Sequence, residues 1–148
     1  MVKLKIVRKS AKHRDDPGTS SLQLLETIVR EIQKRMDIDL HQYGVIETET
    51  ATFPLYRFQS TFLEQPTAND QQSLNQPTIV ITTGFHGDEI AGPLTMMKYA
   101  SLIFRRAHEQ GVSVILYPLI NPSGFDQRTR YNHLNQTSNN DFMRYRVG

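Results

Sequence analysis

The sequence predicts an α/β fold: a mixed, largely parallel sheet with helices on both faces. Three observations predict it. Two near-continuous apolar runs, Ile79–Ile81 and Val112–Ile120 (VSVILYPLI), flank a helical pattern from Pro93 to Gln110. A strand, a helix and a strand in that order form a right-handed βαβ unit, and strands apolar throughout are those of a parallel sheet covered on both faces. Upstream, an amphipathic helical pattern is followed by two alternating stretches that read as extended chain.

In chain order, residues 1–18 carry Lys3, Lys5, Arg8, Lys9, Lys12 and Arg14 and read as a flexible basic arm with solvated charges. The aromatics that would stack on single-stranded nucleic acid are missing from it. Ser20 and Gln23 have the spacing of a capping box. Leu25, Ile28, Val29, Ile32 and Met36 then recur on one helical face, a packing helix with no assigned chemistry. Gly44–Thr50 and Leu55–Ser60 alternate, with Val45, Tyr56 and Phe58 as inward positions of a hairpin or of two neighbouring edge strands. Residues 64–77 (EQPTANDQQSLNQP) are polar and read as a surface loop.

The organising stretch is Thr78–Pro93, TIVITTGFHGDEIAGP. Ile79, Val80 and Ile81 read as a short buried strand, and Gly84 and Gly87 allow sharp turns on either side of His86. A His and a carboxylate three residues apart, where a strand ends and a helix begins, can aim into the crevice beyond the strand ends in which open α/β sheets bind ligands. Imidazole nitrogen and carboxylate oxygen are both zinc donors, and a catalytic zinc takes three protein ligands and one open position. The bare spacing of His86 and Glu89 also arises by chance; the strand-turn-helix context is what favours a metal. Pro93 suits a first helical turn, which leaves Glu89 in the turn entering the helix. Leu94, Met97, Leu102, Ile103 and Phe104 make that helix apolar on more than one side and predict deep burial, while His108 near its end suits the helix dipole. The loop Asn121–Phe125 leaves the second strand at the same sheet edge as His86. Residues 126–148 hold Arg128, Arg130, Arg144 and Arg146 among Asn132, Asn135, Asn139, Asn140 and Asp141, a pattern equally suited to a carboxylate ligand or to water.

Composition narrows the classes. The 148 residues, 38% of them hydrophobic, suffice for a single domain with a real core. The 17 basic and 15 acidic residues nearly balance, so no nucleic-acid partner is indicated. Cysteine is absent, which excludes disulfides and thiolate ligands. No apolar run is long enough to span a membrane, no signal-peptide core is visible, and a cytoplasmic location is the expectation.

The order of motifs resembles the zinc metallocarboxypeptidase superfamily, which includes the succinylglutamate desuccinylase and aspartoacylase type deacylases. The motifs are Gly84-Phe-His86-Gly-Asp-Glu89, Asn121-Pro-Ser-Gly-Phe125, Thr129-Arg130-Tyr131-Asn132 and Asp141-Phe-Met-Arg144, spread from about Thr78 to Arg144. The resemblance implies a three-layer αβα architecture with His86 and Glu89 as two of three Zn2+ ligands. It further implies that Arg130 stabilises the oxyanion and that Arg144, with Asn132 nearby, holds a substrate carboxylate. The implied reaction is hydrolysis of an amide beside a free carboxylate in a peptide or, alternatively, in an N-acyl amino acid. Two departures stand out. Met143 replaces the family's Asn before the last Arg, and the family's third zinc ligand and general base have no counterpart before Gly148. The chain is therefore expected to be the N-terminal part of a larger domain or a shortened relative without full activity, with self-association through an incomplete sheet. The rival of another class is a non-catalytic module that holds acidic ligands on Arg130 and Arg144.

Overall fold

A computed structural model describes residues 19–33, 38–60 and 77–139. The elements are α1 (Ser21–Gln33), β1 (Ile38–Glu47), β2 (Thr52–Ser60), β3 (Thr78–Thr82), α2 (Ala91–Glu109), β4 (Ser113–Tyr117) and α3 (Pro122–Gln127). The basic arm, Met36, most of the 64–77 loop and Arg144 lie outside the described residues.

Helix α1 begins as its sequence dictates. The Ser20 N–H donates to Gln23 Oε1 at 2.9 Å and the Gln23 N–H donates to Ser20 Oγ at 3.2 Å, a reciprocal cap. Such a cap contributes about 1 kcal/mol to helix stability. Its apolar stripe of Leu24, Leu25, Ile28, Val29 and Ile32 is buried. A residue over a hundred positions away completes the start of the helix: Asp126 Oδ1 accepts the Ser21 N–H at 2.5 Å, placing negative charge at the positive helix end. Arg128 fixes the same junction, with Nη2 donating to Thr19 O at 2.8 Å and its guanidinium lying 4.5 Å from the Phe125 ring centre. Of the two uses the sequence left open for its arginines, Arg128 serves neither; it ties α3 to the start of α1.

The sheet runs β1-β2-β4-β3. The hairpin forms as expected, with β1 antiparallel to β2 and a bulge between Gln42 and Gly44. Tyr56 and Phe58 point inward, but Val45 is 47% exposed. Asp39, His41 and Tyr43 of the same strand are exposed as well, while Ile38, Leu40 and Ile46 are partly covered. Strand β4 pairs antiparallel with β2 through Phe58 and Leu116, and parallel with β3 from Thr78/Ser113 to Thr82/Tyr117. The α/β class with a mixed sheet holds; among the described residues one of the three pairings, β3 with β4, is parallel.

The core lies between the helices and the sheet face that carries Tyr56, Phe58, Val114 and Leu116, with Leu24, Ile28, Met96, Ala100, Phe104, Leu119 and Phe125 against it. Helix α2 begins at Ala91, and its first helical bond is Leu94 N–H to Ile90 O at 3.1 Å. Pro93 therefore occupies the first turn, where a missing N–H leaves no bond unmade. The helix is not buried all round as its composition suggested. Pro93, Met96, Ala100 and Phe104 are buried, while Tyr99 and Leu102 are 41% and 38% exposed.

Strand β3 departs most from expectation. Its β-branched run predicts burial, yet Ile79 and Val80 are 50% and 58% exposed. Composition records only that a strand can be covered on both faces; β3 has one described neighbour, β4, and forms the edge of the described sheet. An apolar edge with unpaired backbone groups is the kind of surface that favours association.

Candidate active site

The site is assembled where β3 and β4 end. Parallel pairing continues beyond the strands: Thr83 N–H donates to Tyr117 O at 3.0 Å, Ile120 N–H to Thr83 O at 3.1 Å, and Asn121 N–H to Gly84 O at 2.9 Å. Gly84 takes a left-handed turn (φ +70°) with Leu119 and Pro93 so close that a Cβ there would overlap them. Both chains are thus carried to the same edge before diverging, one into His86 and the other into α3.

The loop expected at Asn121–Phe125 is the first turn of α3. Asn121 is its N-cap, with Oδ1 accepting the Gly124 N–H at 3.0 Å and the Ser123 hydroxyl at 3.2 Å, and Pro122 opens the helix. Asn-Pro ahead of a short segment is a recognisable helix start, and that signal could have been read from the sequence. Asn121 is 1% exposed, and its Nδ2 donates to Phe85 O at 3.3 Å, fastening the His86 loop to the α3 turn. Gly87 and Gly124 meet backbone to backbone at this junction, leaving no room for a Cβ on Gly87.

The fold brings three of the predicted residues together. His86 Nδ1 lies 2.8 Å from Glu89 Oε1, and Arg130 Nη1 lies 3.4 Å from the same oxygen. His86 is buried, whereas the Glu89 and Arg130 side chains are 63% and 49% exposed. Asn132 is used differently: its Oδ1 accepts the Leu134 and Gln136 N–H groups, both at 2.9 Å, closing a turn in its own loop. Arg144 lies outside the described residues. The sequence did not single out the partner on the far side of the imidazole, where Asn139 Oδ1 sits 3.1 Å from His86 Nε2. No spacing rule links two residues 53 positions apart.

Electrostatics follow from this geometry. The hydrogen bond to Glu89 and then that to Asn139 raise the His86 pKa, opposed by desolvation and by the Arg130 charge. The His86 hydrogen bond lowers the Glu89 pKa, and Arg130 adds to that. The signs define a window. A raised His86 pKa stabilises the fold below the ordinary value of 6.5, and that contribution is lost as pH rises through the folded value. A lowered Glu89 pKa stabilises it above 4.5, and that contribution is lost as pH falls through the folded value. In metal-free protein, the stability difference between the unsubstituted chain and Glu89→Gln should therefore peak between those two values. Urea unfolding across pH 4–9 measures it, and a difference that stays flat over that range would contradict the pairing.

A nitrogen and an oxygen donor converging at 2.8 Å fit two positions of a divalent-ion site. Among the described residues no group of three or more His, Cys, Asp or Glu side chains supplies a complete set. No described helix is long and apolar enough to cross a membrane.

Residues 75–145 match the family model of the succinylglutamate desuccinylase/aspartoacylase catalytic domain. Among solved structures, the chain is similar to a candidate metallopeptidase from Shewanella denitrificans, with 25% identity over 78% of this chain and 38% of that one, and a TM-score of 0.55. A second candidate metallopeptidase, from Shewanella amazonensis, has the same identity and coverage and a TM-score of 0.56. Thrombin activatable fibrinolysis inhibitor shares the fold, with a TM-score of 0.57 at 16% identity, over 76% of this chain and 29% of that one. No curated protein gives a significant match. The chain thus spans well under half the length of the structures it resembles. Its motifs, its matched segment and its architecture agree in supporting the zinc carboxypeptidase-like superfamily.

Proposed function

We propose that this chain carries the first two metal ligands and the oxyanion-stabilising group of a zinc-dependent hydrolase that cleaves an amide bond beside a free carboxylate. The observation that carries the reading is the convergence of His86 Nδ1, Glu89 Oε1 and Arg130 Nη1 at the mouth of the β3/β4 pair. When bound, zinc supplies Lewis acidity and an activated water at neutral pH. His86 and Glu89 hold the ion, and the buried ring of His86 gives it one rigid anchor. Arg130 brings a permanent positive charge to the same place, where it offsets charge developing on the scissile carbonyl oxygen. Arg144, three residues after Asp141 in the sequence, is the candidate for the substrate carboxylate, with Asn132 supporting the Arg130 loop. The third metal ligand and the general base belong to parts of the enzyme beyond the described residues.

Two substrate forms share this chemistry. The metallocarboxypeptidase form takes a peptide with a free C-terminus, as the metallopeptidase neighbours suggest. The deacylase form takes an N-acyl amino acid and is favoured by the family match over residues 75–145. Met143, which stands where the family carries an Asn before the last Arg, weakens a strict carboxypeptidase form.

Metal analysis and a substrate panel test the reading. The panel sets peptides with free C-termini against N-acetyl and N-succinyl amino acids. His86→Ala should lower zinc content to background and abolish turnover of whichever class is cleaved. Zinc content unchanged by that substitution would remove the metal site, leaving Arg130 and Arg144 as a metal-free anion-binding module.

A further inference from the structure

We propose that the sheet face turned away from the helices is a two-fold interface between copies of this chain, with Arg57 of each copy paired to Asp39 of the other. The inference stands apart from the hydrolase reading and uses none of its residues.

Strand alternation gives the sheet two unlike faces. Tyr56, Phe58, Val114 and Leu116 look into the core, against the buried stripes of the helices. The register puts the residues between them on the other side: His41 lies opposite Arg57, Asp39 opposite Gln59, Gln59 opposite Ile115, and Ile115 opposite Val80. Tyr117, two residues after Ile115, shares that side, and its ring meets Tyr43 edge-on with centres 5.3 Å apart. No residue of the described hydrophobic core belongs to this face. An antiparallel sheet can leave one face to water, but a face of that kind is polar. This one carries an aliphatic pair and a tyrosine pair, with Val80 58% and Tyr43 40% exposed.

Two charges on the face lack partners. Arg57 is partly buried, and its Nε is closed off from water with no hydrogen bond. A buried donor of a charged group left unpaired is costly, and an arriving carboxylate removes that cost. Asp39 is exposed and forms no ion pair among the described residues. The two positions lie diagonally across β1 and β2, since Asp39 faces Gln59 and His41 faces Arg57; such neighbours are about 7–8 Å apart. A two-fold axis midway between them, parallel to the sheets, sets each Asp39 over the Arg57 of the other copy. Sheets stacked face to face lie about 10 Å apart, a gap that an arginine and an aspartate span together. Pairing through the free edge of β3 would leave Arg57 unmatched, because β4 stands between β3 and β2.

Sedimentation equilibrium of the whole chain, at micromolar to submillimolar concentrations, should follow a monomer–dimer equilibrium. Asp39→Arg alters an exposed side chain and should raise the dissociation constant about 30-fold or more, because like charges then meet at both symmetry-related contacts. Arg57→Asp should act in the same direction. The double variant Asp39→Arg/Arg57→Asp exchanges the signs and restores complementarity, so its dissociation constant should return towards that of the unsubstituted chain. Circular dichroism checks that each variant is folded, and Asp39→Arg alone carries the test if substitution of the partly buried Arg57 prevents folding. A chain that stays monomeric throughout, or a dimer indifferent to Asp39→Arg, would overturn the interface; the second result would assign association to the β3 edge. A folded double variant no tighter than Asp39→Arg would overturn the Arg57–Asp39 pairing.

Discussion

Gly87→Ala is expected to destabilise the domain by about 3 kcal/mol and to abolish divalent-ion uptake. The reason is contact between backbones. A Cβ on Gly87 would overlap the carbonyl carbon and oxygen of Gly124, and neither belongs to a side chain that could rotate away. Gly124 is in turn held by its N–H bond to Asn121 Oδ1, and Asn121 is buried and tied to Phe85 O. Relief would require moving either the α3 turn or the His86 loop. Moving α3 loosens Phe125, which is fully buried in the core, and Asp126, which caps α1. Moving the loop withdraws His86 from Glu89 and Asn139. Urea unfolding monitored by circular dichroism measures the first consequence and zinc titration the second. An alanine variant with an unchanged midpoint and full uptake would show that the two backbones are not in contact.

On the proposed function, Arg130→Ala should lower hydrolysis about 100- to 1,000-fold, the usual loss on removing one oxyanion-stabilising donor, and leave zinc content unchanged. Arg130 Nη1 is 3.4 Å from Glu89 Oε1, and the guanidinium is half exposed. That distance and exposure describe a group beside the His86–Glu89 pair, able to turn towards a substrate, and not one consumed by a structural ion pair. The loss should therefore appear mainly in kcat, because the charge it offsets develops on the way to the transition state. Lysine at this position should recover only part of the rate, since it offers a point charge in place of the planar fork. A variant close to the unsubstituted rate would remove Arg130 from the chemistry. Loss of zinc together with rate would recast it as a residue that holds Glu89 in place.

Much of the molecule was legible because local rules govern it. Ser20 and Gln23 cap α1 as their spacing requires, Ile28 and Ile32 are buried as their period requires, and Tyr56 and Phe58 face inward as strand alternation requires. The pairing of His86 with Glu89 was legible for the same reason: three residues around one turn are neighbours in any fold of that turn. The failures lie where an outcome depends on what packs alongside. Ile79 and Val80 carry the composition of a buried strand, but burial depends on a second neighbour, and only β4 is described beside β3. Val45 alternates correctly and is still exposed, because the residues of β1 that pack on the core are Ile38 and Leu40, and alternation alone does not say which those are. Leu102 is apolar yet partly exposed on a helix that uses one stripe.

By itself the sequence determined every described element but α3, the α/β class, and the presence of an imidazole and a carboxylate at the end of an apolar strand. Those features follow from steric preferences and hydrophobic period within a dozen residues. Only the tertiary structure decided that β4 pairs with β2 in one direction and β3 in the other, and that Arg128 braces two helices while Arg130 turns to Glu89. It also decided that an amide from residue 139 meets the far side of the His86 ring. These are contacts between residues distant in the chain, each set by how the sheet edge and α3 pack, and no periodicity in a linear chain encodes them.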